Sequence, residues 1–144
     1  MDLTPIAASL ILLAHTMTAT YMGVDPESVP LIKGAYIVPL EELPNICSSK
    51  YCKSPSTGFY LAHQQKVYLG REYYYDEDFI FSQLLHETTH HFQRNVPGRT
   101  LRCRNKEEVH ALDFQMSYLK SKGNTWVDST FNKIKKVFKN GSCS

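Results

Sequence analysis

The segment His86-Glu87-Thr88-Thr89-His90 constrains this chain more than any other stretch of it. Histidines four positions apart share one helical face, so both imidazoles can point at one spot only if the segment is a helix. Two such nitrogens can each reach a zinc ion at about 2.0–2.1 Å. Glu87, next to the first histidine, falls beside such an ion and is placed to take a proton from a water on it. The surroundings agree with a helix. Phe81, Leu84, Leu85 and Phe92 recur on one side from Phe79 to Asn95, and Pro97-Gly98 breaks the pattern. The competing reading is a solvated helix whose histidines are incidental polar residues.

A catalytic zinc needs a third protein donor and an open position for water. The leading candidate is Glu108, 18 residues past His90 (108 − 90), far enough for a second helix to return. Glu108, Ala111, Leu112 and Gln115 would share a face there, and the small Ala111 would let the helices approach. His110 and Glu107 are rival ligands. Glu108 also stands three residues after Asn105, a good N-cap, so it can instead complete a capping box. Two acids in a first helical turn favour the helix dipole in any case.

The rest of the chain bounds the setting. A length of 144 residues suits a single domain spanning 1–144, and 42% hydrophobic content can fill one core. A net charge of +2 argues against nucleic acid or a membrane surface as partner. No apolar run reaches the roughly 18 residues of a membrane span. Ile6 to Ala14 is apolar, but Asp2 stands where a signal peptide carries positive charge, so a first helix is expected. Ile6, Leu10, Leu13 and Met17 would be its packing stripe, and Met1 can stand in place of a removed signal. Cys47 and Cys52 flank a short loop and can bridge, which leaves Cys103 to pair with Cys143. Such disulfides would place the protein in the periplasm or outside the cell.

A strand is expected around Ala35 to Val38 and a loop from Glu41 to Ser56. Gly58 to Ala62 and Lys66 to Leu69 form a hairpin turning at His63 to Gln65. Tyr73 to Asp78 reads as loop. A helix from Lys106 to about Lys120 carries Val109, Leu112, Met116 and Leu119 as its stripe. A last helix, Trp126 to Lys139, has Trp126, Ile134, Val137 and Phe138 apolar, with Lys133, Lys135, Lys136 and Lys139 as a solvated basic face. The order is helix, small sheet, three helices: an α+β fold.

An active helix bearing His-Glu-x-x-His, followed by a helix led by Glu, resembles the gluzincins, the thermolysin-like zinc peptidases. The chain is more closely similar to a group of small bacterial zincin-like proteins whose pattern is His-Glu-x-x-His-x-x-Gln, a cysteine, then Glu-x-x-Ala-x-x-x-Gln. Here that pattern is His86-Glu87-Thr88-Thr89-His90-His91-Phe92-Gln93, Cys103, and Glu108-Val109-His110-Ala111-Leu112-Asp113-Phe114-Gln115. The likeness covers Leu10 to Leu119. His110 and Leu112 replace an acid and an aromatic common in that group, so the surroundings of the ligands are expected to differ. The resemblance implies a minimal zincin-like domain with a mostly antiparallel sheet and bound Zn2+, and supplies no substrate.

The expected activity is hydrolysis of a peptide bond, with His86, His90 and Glu108 on zinc and Glu87 as general base. His91, His110 and Tyr73 to Tyr75 are candidate donors to the developing oxyanion. Gln93 and Gln115 are candidates to hold a ligand in place. A peptide or protein substrate would lie along a sheet edge, either Phe59 to Leu61 or Val67 to Leu69. The alternatives are a zinc amidase acting on another amide, such as peptidoglycan, and a non-catalytic zinc-binding module. A monomer is favoured.

Overall fold

The computed structural model describes residues 3–47, 57–71, 76–96, 103–124 and 127–140, with side chains omitted at 127 and 128. Strand β1 (Thr4–Pro5) leads into helix α1 (Ala8–Met22). Strand β2 (Gly34–Val38) follows, then the single-turn helix α2 (Leu43–Ile46). Strands β3 (Gly58–Leu61) and β4 (Lys66–Gly70) form a hairpin. Three helices close the chain: α3 (Glu77–Asn95), α4 (Arg104–Ser121) and α5 (Val127–Lys139). This is the expected α+β arrangement. A one-turn 3-10 segment at Leu40–Glu42, together with α2, occupies the start of the stretch expected to be loop, and another lies at Pro26–Ser28.

The four strands lie in the order β1-β2-β4-β3. β2 and β4 are parallel, while β1 with β2 and β3 with β4 are antiparallel, so the sheet is mostly antiparallel. β4 is central, buried along Val67, Tyr68, Leu69 and Gly70, and its backbone is engaged on both sides. Val67 to Leu69 therefore cannot receive an added strand, and of the two expected edges it is Phe59 to Leu61 on β3 that lies on the outside of the sheet formed by the described residues. The hairpin turns through Gln65, whose φ of 55° is the left-handed conformation that ends a tight turn.

Alternation along the strands separates two apolar layers. Ala35, Val67 and Leu69 join Phe81, Leu84 and Leu85 of α3, with Ala14 of α1 and Phe114 of α4. Val38 and Tyr68 point the other way, against Leu43 and Cys47. Leu84, Leu85 and Phe92 are each at most 1% exposed, and burial of that kind stabilises by about 1.5–3 kcal/mol per side chain. α3 is thus held on one side by the sheet and α1, and on the other by α4. A helix anchored this way presents its polar residues at fixed positions.

Three expectations about packing need correction. α1 begins after Ile6, and Leu10 and Leu13 are 44% and 48% exposed. Ile6 and Met17 of the expected stripe pack against the core, but the fully buried face is Ala14, His15, Thr18 and Ala19, where small side chains let α1 approach α3 closely. α4 begins at Arg104 with Cys103 in the N-cap position, so Asn105 lies inside the helix and not at its N-cap. The capping-box reading of Glu108 fails with it. In α5 Phe131 is the buried anchor, packed on Leu112 and Leu119, while Val137 is 71% exposed and Ile134 38%. Trp126, Tyr73 to Tyr75 and Pro97-Gly98 lie outside the described residues.

Among the described residues no cysteine is free, and Cys47 and Cys103 are both disulfide-bonded. Their expected partners, Cys52 and Cys143, lie outside the described residues. No described helix is long and apolar enough to cross a membrane.

Candidate metal centre

α3 begins at Asp76, whose carboxylate accepts a hydrogen bond from the backbone of Asp78 and satisfies one free amide of the first turn. Glu77 and Asp78 there complement the helix dipole. Two and a half turns further on, His86 and His90 bring their Nε2 atoms to 3.3 Å of one another. One donor atom from each of His86, Glu87 and His90 lies within a common 4.8 Å.

α4 supplies the remaining group. Glu108 stands with one carboxylate oxygen 3.4 Å from His86 Nε2 and the other 2.5 Å from His90 Nε2. Metal–ligand bonds of about 2.0–2.1 Å in a tetrahedron separate neighbouring donors by about 3.3 Å. The His86–His90 and His86–Glu108 separations match that edge. The His90–Glu108 contact is a direct charge-assisted hydrogen bond. Two imidazoles and one carboxylate, converging from two helices, fit a zinc ion in donor type, and two of their three separations fit it in spacing.

Electrostatics follow from burial. Burial disfavours a charged His90, yet the hydrogen bond to Glu108, the charges of Glu87 and Glu108 and the contact with Gln93 outweigh it, raising its pKa from 6.5 to about 9. Burial also pushes Glu108 upward, but His86 and His90 beside it hold its carboxyl well below the usual carboxylate range. Glu87 goes the other way. Burial raises its pKa, Glu108 adds to that, and the two histidines and the Gln83 amide only partly oppose it. A carboxylate shifted upward is better matched to accept a proton near neutral pH.

The surroundings separate the expected supporting residues. Gln93 holds a ligand: its Oε1 lies 2.7 Å from His90 Nδ1, and its Nε2 donates to the Glu107 carbonyl at 3.0 Å. The amide oxygen fixes which ring nitrogen carries hydrogen and leaves Nε2 for the metal position. Gln115 does not reach a ligand. It donates to Gln83 Oε1 at 3.1 Å, and Gln83 Nε2 donates to Glu87 Oε2 at 2.8 Å. Gln83 was not foreseen, although its spacing of four from Glu87 places it on that face. Among the described residues His86 Nδ1 has no hydrogen-bond partner.

His91 and His110 are not brought to the centre as oxyanion donors. His91 is fully buried, with Nε2 2.6 Å from the Pro30 carbonyl and Nδ1 2.6 Å from the Tyr60 hydroxyl. Burial lowers its pKa, the Pro30 carbonyl opposing, so the ring is neutral and serves as a tie between α3, β3 and the segment before β2. One residue along the helix from His90 is a rotation of about 100°, which turns it away. The His110 ring stacks on Tyr21 of α1, centroids 4.9 Å apart. It is two positions from Glu108 and so on a different face of α4, which also removes it as the third ligand. Glu107 is buried and meets Gln93 through its backbone carbonyl.

No family model, curated protein or solved structure matches this chain.

Proposed function

We propose that this protein is a zinc-dependent metallopeptidase. The observation that carries this reading is the meeting of Glu108 from α4 with both Nε2 atoms of His86 and His90, at 3.4 and 2.5 Å. A zinc ion held there supplies Lewis acidity toward a water and toward the scissile carbonyl. Glu87, buried and beside the donors, accepts the proton of the attacking water and returns it to the leaving amine. His90 is kept in the ligating tautomer by Gln93.

The substrate is an extended peptide. β3 is an outer strand of the sheet and packs against α3, so a chain adding to Phe59–Leu61 would run beside the active helix. The disulfide-bonded Cys47 and Cys103 support work in an oxidising compartment, outside the cytosol. An intact Glu87, held by its own amide partner, is superfluous in a purely structural zinc site and favours a hydrolase over a binding module.

The test is Glu87→Gln. Zinc content, measured by mass spectrometry of the purified protein, should stay at the wild-type level, while cleavage of a peptide library should disappear. Retained cleavage would remove Glu87 as the base. A wild-type protein that binds zinc and cleaves isolated peptidoglycan but no peptide would favour the amidase reading.

A further inference from the structure

Glu87 has two carboxylate oxygens, and the structure distinguishes them. Ser82 Oγ donates to the Phe79 carbonyl at 2.7 Å, so its oxygen is left to accept. Gln115 must then turn its NH2 toward Ser82, at 3.2 Å, and the same nitrogen reaches Gln83 Oε1 at 3.1 Å. Gln83, accepting at its oxygen, can present only its NH2 to Glu87 Oε2, at 2.8 Å. Each amide orientation is fixed by the one before it, starting from a backbone carbonyl that can only accept. Ser82, Gln83, Glu87 and Gln115 are all buried, at 0%, 8%, 5% and 2% exposure, so water does not compete for these bonds. A buried polar chain satisfied in one direction resists reversal, because a flipped amide would set donor against donor.

We propose that Gln83 and Gln115 are positioning residues that commit Glu87 Oε2 to the protein and leave Oε1 as the oxygen that meets the reacting water. This role rests on the zinc-hydrolase reading. In the hydrolytic step the water O–H bond breaks, the proton goes to Oε1, and the water oxygen bonds to the carbonyl carbon as the C=O π pair moves onto the carbonyl oxygen. Oε2 keeps its hydrogen bond from Gln83 throughout, which holds the carboxylate plane still. Gln115 touches neither substrate nor metal ligands and acts only through Gln83.

The experiment uses the zinc-loaded full chain and two small probes. Acetohydroxamate chelates zinc with a hydroxyl that hands its proton to a neighbouring carboxylate, whereas imidazole binds zinc without involving one. In Gln83→Met the acetohydroxamate affinity should fall by about 10-fold, with imidazole affinity and zinc content unchanged. Gln115→Met should cause a smaller loss of the same kind, and the double variant should be no worse than Gln83→Met alone. Equal weakening of both probes, additive losses, or no loss would overturn the proposal. A substrate-free and variant-free measurement runs beside it: in the 15N-labelled wild-type protein the Gln83 side-chain amide should exchange slowly with solvent. Rapid exchange would also overturn it. A wild type that shows the probe pattern yet cleaves no peptide removes the peptidase reading and keeps the positioning role; a wild type that binds no zinc removes both.

Discussion

Glu108 and His90 stand 2.5 Å apart across the α3–α4 interface, an ion pair made by residues of different helices. The centre therefore forms only when the two helices are packed. That packing combines the apolar contact of Phe114 with Phe81, Leu84 and Leu85 and closer contacts near the centre, where Ala111 is fully buried and Gln93 reaches the α4 backbone.

Glu108→Ala should leave two imidazoles and no carboxylate. Zinc affinity should drop by at least about 100-fold, since even supporting residues of metal ligands are worth 10–100-fold. Metal analysis after gel filtration checks this, with circular dichroism showing that the helices persist. Full zinc occupancy would remove Glu108 from the ligand set.

The proton on His90 gives a pH dependence with a definite sign. In the metal-free protein its pKa is raised from 6.5 to about 9. The pairing with Glu108 thus stabilises the fold fully below pH 6.5 and fades as pH rises through about 9. The Tm of the metal-free protein should accordingly fall over that window. Zinc must displace this proton, so its binding near pH 7.5 should release about one proton and tighten with rising pH. Calorimetry in buffers of different ionisation enthalpy measures the release; none released would contradict the assigned state of His90.

Gln93→Leu removes the acceptor at His90 Nδ1 and the donor to the Glu107 carbonyl. Zinc affinity should weaken by about 10–100-fold, with a stability loss of about 1 kcal/mol from the lost internal hydrogen bond. Competition with a chelator of known affinity resolves the first, urea titration the second.

His91→Phe tests the opposite expectation. It strands the Tyr60 hydroxyl and the Pro30 carbonyl, which His91 now joins. Stability should fall by about 1–3 kcal/mol, while zinc stoichiometry stays at the wild-type value. Loss of zinc in a still-folded variant would show that His91 reaches the centre.

The range of each interaction decided whether it was legible in the sequence. His86, Glu87 and His90 were legible because helical periodicity alone puts them together. Glu108 was legible as a candidate among three, and only the rotation of α4 against α3 separates it from His110 and Glu107. The hairpin was readable from its short β-branched and aromatic runs. The packing stripe of α1 was legible by half: Ile6 and Met17 pack against the core as expected, but Leu10 and Leu13 face outward and Ala14 and Ala19 are the buried residues in their place. Gln83 stayed hidden because a glutamine four residues before a glutamate is ordinary on any helix. Its significance comes from Gln115, which lies 32 positions away in sequence and next to it in space.

Gly58 on β3 connects that chain of amides to the open edge of the sheet. A Cβ there would sit 2.9 Å from the Leu69 side chain, 3.0 Å from the Tyr68 carbonyl and 3.5 Å from Gln83 Nε2. The absent methyl group is therefore what lets β3 lie close against Leu69 and Tyr68 of β4, with Gln83 at ordinary contact distance behind it. If a peptide docks along β3 as proposed, a displacement of that strand reaches Gln83 through this contact, one hydrogen bond from Glu87. Occupancy of the strand edge and the aim of the carboxylate would then be linked through a residue without a side chain.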